Sequence, residues 1–153
     1  MRGWYAFDEG GDSGPGGWSH ARTTWNPAVA MPHGWAIAEL WLLLRDSLLF
    51  EDGGRLIILG GVPPEWLAGR ERVSVTDMPT WFGPCSFEYE PAPKGAALTL
   101  SGSAAPPDGF VLRLPPTLGA IITVDGKTVD SPARGDYLLP AGTKRADIVI
   151  EHP

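Results

Sequence analysis

The chain of 153 residues has a single cysteine, Cys85. No intramolecular disulfide can form, so cysteine usage leaves the redox compartment open. Basic residues are also scarce, with 12 Lys and Arg against 18 Asp and Glu, for a formal net charge of −6. No basic cluster exists to neutralise phosphates, which argues against nucleic acid or an anionic membrane surface as partner. Long hydrophobic runs are missing too. The most apolar stretch, residues 41–44 and their neighbours, is bounded by Glu39 before it and Arg45-Asp46 after it. It falls short of the roughly 20 apolar residues that a membrane span needs. The opening MRGWYAFDEGGDSG lacks the apolar core of a secretion signal. A soluble, untargeted chain is expected, cytoplasmic if it is complete.

Several chemistries lack their residues. The three histidines, His20, His33 and His152, are scattered. No pair has metal-ligand spacing, so no metal is expected. Gly60-Gly61 follows an apolar run, but Val62-Pro63-Pro64 comes next. Prolines remove the N–H groups that would cradle a phosphate, and no cofactor is expected. There is no G-x-S-x-G elbow, and Cys85 has no basic neighbour in sequence to activate it.

Glycine and proline are plentiful instead, at 20 and 16 residues. Between them lie short segments rich in Val, Ile and Leu, the pattern of strands joined by tight turns. RLIIL (residues 55–59), RVSVT (72–76), SFEYE (86–90), ALTLS (97–101), FVLRL (110–114) and AIITV (120–124) are such segments. Asp125-Gly126 marks a hairpin returning through residues 127–129. DYLL (136–139) and ADIVIE (146–151) complete the set. The expected fold is mainly β, an antiparallel β-sandwich. It is preceded by one long apolar α-helix over residues 32–50 and an irregular Gly- and Trp-rich N-terminal segment. The expected domains are residues 1–51 and 52–153.

Pro32 suits a first helical turn, and Asp52-Gly53-Gly54 supplies the stop. On a helical wheel Glu39 and Asp46 fall together, with Trp35, Leu42 and Leu43 in the same third. Ala38, Trp41, Leu44, Leu48 and Leu49 spread over the rest. A helix apolar nearly all round belongs inside a larger helical assembly. A small sandwich covers one side and leaves an exposed patch larger than a soluble monomer usually carries. A helical partner domain, or homo-oligomerisation through the helix from Pro32 to Phe50, is therefore expected.

Five of the seven tryptophans fall within the first 41 residues. Flat indole faces suit the C–H faces of sugar rings, while neighbouring polar groups take the hydroxyls. Trp18 and Trp25, in the Gly-rich segment, and Trp81, in the proline-framed PTWFGP, are the candidate carbohydrate-binding residues, with Asn26 and His33 beside them. Core packing is the competing reading for each, and the leading one for Trp35 and Trp41. Asp8 and Glu9 in FDEGG are the candidate catalytic carboxylates, since glycoside hydrolysis needs two held across a sugar bond. A solvated acidic turn is the simpler reading of that pair.

TTWNPAVAMPHGWAIAELWLLLRD, LGGVPPEWL and MPTWFGPCSFEYEP together resemble the C-terminal end of six-hairpin (α/α)6-toroid glycosidases of the α-L-rhamnosidase-like kind. The resemblance implies that the helix is the last of a toroid and runs directly into a C-terminal β-sandwich. It implies that the loop from Trp25 to His33 looks toward a sugar pocket, and that a catalytic glutamate lies upstream, where Glu9 and Asp8 stand. The Asn-His pair that precedes this helix in such enzymes is not reproduced, because Asn26 is followed by Pro27. Most of a toroid is absent, and a lone carboxylate cannot perform acid/base hydrolysis. The leading expectation is a non-catalytic accessory region of a glycoside hydrolase-like protein. The alternatives are a free-standing carbohydrate-binding module using exposed Trp, and a small enzyme built on Asp8, Glu9 and His33.

Overall fold

The computed structural model describes residues 34–140 and 142–151. The chain divides into two compact units, Met1–Arg45 and Asp46–Pro153.

Of the first unit, the described part is helical. Helix α1 spans Gly34–Leu48. Ala, Leu and Glu, all strong helix formers, fill most of its interior, and no Gly or Pro interrupts it. Every residue from 37 to 44 is exposed. Leu43 reaches 68% and Trp41 58%, and Ile37, Leu40, Leu42 and Leu44 are exposed as well. Pro32 lies outside the described residues.

The helix stops two residues before the expected Phe50. Leu49 is fully buried and opens strand β1, Leu49–Asp52. It pairs with β2, Arg55–Ile58, in the register Leu49↔Ile58 to Asp52↔Arg55. Gly53, at φ +58°, makes the tight turn between them. Ladder bonds and burial of Leu49 in the sheet core outweigh the local helical pattern. Gly60-Gly61 serves the helix end. The Gly61 and Leu59 N–H groups donate to the Ser47 and Leu48 carbonyls at 2.9 and 2.8 Å, partnering acceptors that a helix C-terminus leaves open. A Cβ on Gly61 would stand 2.7 Å from the Ser47 Cα, so only glycine permits this approach.

The remaining elements are α2 (Pro64–Ala68), β3 (Val73–Met78), β4 (Cys85–Ala92), β5 (Gly95–Gly102), β6 (Phe110–Arg113), β7 (Gly119–Val124), β8 (Lys127–Thr128), β9 (Asp136–Leu139) and β10 (Arg145–Glu151). They form a mainly β structure of two sheets, ordered β1-β2-β6-β9 and β3-β4-β5-β10-β7-β8. All pairings but one are antiparallel. Strands β2 and β6 run parallel, with Ile57 opposite Val111. The expectation of a wholly antiparallel arrangement is corrected at that seam. Fittingly for a parallel seam, β2 is a continuous apolar run buried on both faces, with Leu56, Ile57 and Ile58 all inside.

Alternation builds the core of the six-stranded sheet. Phe87 faces Leu100, Tyr89 faces Leu98, and Ala96, Ile148 and Ile122 form a row across three strands. These side chains pack with Leu49, Leu56, Ile58, Leu112 and Leu139 of the other sheet in one continuous core. The outward positions alternate with them, and Val149 and Ile121 pair there in the open. At the β7–β8 turn Asp125 and Gly126 both take positive φ, +50° and +76°, as a two-residue hairpin of matching twist requires. Strand β3 carries a bulge between Val75 and Met78. Asp77 sits there at φ +48°, and its N–H donates to the Ser86 Oγ at 2.8 Å.

Candidate functional site

Among the expected site residues, Asp8, Glu9, Trp18, Trp25, Asn26 and His33 lie outside the described residues. Trp81 is described, and it is 84% exposed. Its loop is firmly built. Phe82 is the anchor, packed against the core. The Thr80 hydroxyl donates to the Gly83 carbonyl at 2.6 Å and accepts from the Phe82 N–H at 3.1 Å. The Ala105 N–H donates to the Phe82 carbonyl, and the Trp81 N–H donates to Glu51 Oε1 at 3.0 Å. The backbone on both sides of Trp81 is held, so the indole stands in solvent on a fixed base.

Trp66 is a further exposed tryptophan, in addition to Trp41 and Trp81. It is 48% exposed and lies on α2, a single helical turn opened by Pro64. Its neighbour Leu67 is buried, and the Leu67 carbonyl accepts a hydrogen bond from the buried Tyr89 hydroxyl at 3.1 Å. With about 100° of rotation between successive helical residues, Leu67 turned inward leaves Trp66 turned outward. Trp66 walls a cleft of about 480 Å3 shared with Leu48, Glu65, Gly69, Glu71, Arg72, Val73 and Ser74. PPEWL marks a proline-opened turn too short to bury both of its large apolar residues, but it does not say which of the two faces outward.

Two further clefts are larger and differently lined. One, of about 580 Å3, lies beyond Gly69 between α2 and the β4–β5 turn, with Arg70 the charged residue of its lining. The other, of about 500 Å3, has proline walls and holds Arg113 and Asp136. These two are opposed residues on β6 and β9 and form a two-pronged ion pair, Nε to Oδ1 at 2.6 Å and Nη2 to Oδ2 at 2.8 Å. The hydrogen bond from Arg113 holds the Asp136 carboxyl below its usual range and raises the guanidinium in turn. Arg113 also lies 5.8 Å from the Phe50 ring centroid. With both charges matched and the guanidinium over a ring, this is a structural pair.

Burial pushes the Cys85 thiol up to about 11, the reverse of what a nucleophilic thiol needs. Among the described residues no group of three or more His, Cys, Asp or Glu is placed to hold a metal ion. No described helix is long and apolar enough to cross a membrane. No protein-family model matches the chain, and neither a curated protein nor a solved structure matches it.

Proposed function

We propose that the chain is a non-catalytic accessory β-module that docks onto a multi-helix body through α1, in the manner of the C-terminal region of a rhamnosidase-like six-hairpin glycosidase. The observation that carries this reading is the exposure of large apolar side chains on every side of α1. At about 100° per residue, Leu42 and Leu43 point away from the sector held by Ile37, Trp41 and Leu44. One packed helix covers only one such sector, so a single helical neighbour leaves part of α1 in water. A body that offers several helices covers it all. The direct passage from Leu48 into β1 suits a last helix that leads into a β-sandwich, which the two sheets with their common core would supply. Light scattering on the full chain tests the proposal. Self-association and strong binding of a hydrophobic dye are expected, and Leu40→Glu with Leu43→Glu should weaken both. A monodisperse wild-type monomer that binds no dye would overturn it.

A second reading rests on Trp81. Its exposure on a braced loop suits stacking against a carbohydrate ring. Loss of oligosaccharide binding in Trp81→Ala would support that use, and a glycan panel without a response would remove it.

A further inference from the structure

We propose that the cleft beside α2 binds one ring of a neutral saccharide, with Trp66 as the stacking wall. The cleft lies wholly within residues 46–153, and the proposal does not rest on docking by α1. Its volume, about 480 Å3, falls within the range of small-molecule sites.

Three features select the ligand. The first is the wall. The Tyr89–Leu67 hydrogen bond ties α2 to the sheet, so the half-exposed Trp66 is set on a fixed support. An indole held in place loses little conformational entropy when a sugar ring stacks on it. The second is the floor. Leu48 and Val73 are apolar, and Gly69 adds no side chain. A Cβ on Gly69 would stand 3.1 Å from the Glu65 carbonyl oxygen, tighter than ordinary contact.

The third is the rim, which carries Glu65, Glu71, Arg72 and Ser74. Arg72 is steadied by Glu88 at 3.1 Å through Nη1, and its other N–H groups remain as donors. Glu65, Glu71 and Ser74 make no side-chain hydrogen bond among the described residues, so two carboxylates and a hydroxyl stand ready to accept. Arg72 is offset by Glu88, so the rim is net acidic and disfavours an anionic ligand, while the free Arg72 N–H groups are donors that a simple cation would leave unused. A flat apolar ligand would strip water from all of these groups and return no hydrogen bonds. A neutral ring with one C–H face and hydroxyls at its edge satisfies the wall, the floor and both signs of the rim.

The test is a titration of the full chain, labelled with nitrogen-15, followed through its indole and backbone N–H resonances. The probes are neutral hexasaccharides of glucose, mannose, galactose or xylose, each raised to millimolar concentration. At least one should move the Trp66 indole signal, identified by its disappearance in Trp66→Phe, together with the amides of Glu71, Arg72 and Ser74. Trp66→Ala should weaken that binding by about tenfold or more. Should Trp66→Ala fail to fold, the exposed Glu71→Ala carries the test, and unchanged affinity there overturns the proposal. A panel that leaves Trp66 unmoved also overturns it. Movement confined to Trp81 does the same, while supporting the separate reading of that loop.

Discussion

Tyr89 and Leu67 are joined by a hydrogen bond from the Tyr89 hydroxyl to the Leu67 carbonyl oxygen, across 22 residues of sequence and with both partners buried. This bond attaches α2 to the middle of β4. Tyr89→Phe keeps the ring and leaves the carbonyl without its donor, so the variant should lose about 1–2 kcal/mol of stability, read from urea unfolding. Amide exchange within α2 should quicken more than exchange in the central strands. Uniform exchange across both would show that the bond does not hold α2 in particular.

Cys85 should make the fold sensitive to alkali. An unfolded thiol ionises near 9.0 and the folded one near 11, so the folded chain keeps its proton in this window while the unfolded chain loses it. The stabilisation is complete below pH 9 and drains away as pH rises to 11, by on the order of 2–3 kcal/mol. Unfolding midpoints measured across this range should fall, and Cys85→Ala should remove the part of the decline that starts at pH 9. Tyr89, also raised by burial, adds a later decline of the same sign. At neutral pH a thiol reagent should label Cys85 only after unfolding.

The Arg113–Asp136 pair should act at the other end of the scale. Asp136 is held below 3.8, so its contribution is present above that value and is lost as pH falls through the lowered one. Both side chains are partly exposed, which limits the pair to about 1 kcal/mol despite its two-pronged geometry. Asp136→Asn should show that deficit at pH 7, and the gap to wild type should close in strong acid. A gap that persists there would assign the loss to packing.

Gly95 and Gly126 both take positive φ, +156° and +76°, and differ in the space beside them. A Cβ on Gly95 would run into the Ile148 carbonyl of β10, whereas one on Gly126 meets nothing within 4 Å. Gly126→Ala should cost only the dihedral penalty of its positive φ, about 1 kcal/mol. Gly95→Ala must push β5 and β10 apart and should cost more than about 3 kcal/mol. Thermal unfolding of the two variants side by side measures the difference, and equal losses would refute the steric argument.

Much of the sheet architecture was legible because its signal is local. The segments from RLIIL to ADIVIE coincide with β2 to β10 to within two residues, and the Asp125-Gly126 turn stands where its dipeptide pointed. Strand β1 was hidden because Leu49 and Phe50 continue the apolar run of α1, and only the pairing with β2 separates them. The parallel seam between β2 and β6 was illegible for a similar reason, since its partners lie far apart in the chain. Helix α2 is too short to show a period. At the candidate sites, Trp81 could be picked out because prolines frame its loop. Trp66 could not, because its outward direction depends on the burial of Leu67 and on the hydroxyl of Tyr89. No local pattern encodes those contacts.

The position of β10 has a consequence for biosynthesis. It is the last described strand, yet it lies between β5 and β7 in the middle of the six-stranded sheet. On the ribosome, the β3–β5 meander and the β7–β8 hairpin emerge first, and each waits with an open edge. Ala96 and Ile122 both face Ile148 in the finished sheet and gain that neighbour only with β10. Strand β10 is therefore the piece that joins the two halves of this sheet, since it pairs with both β5 and β7. An early nascent chain offers two unpaired strand edges to chaperones or to its neighbours on a polysome.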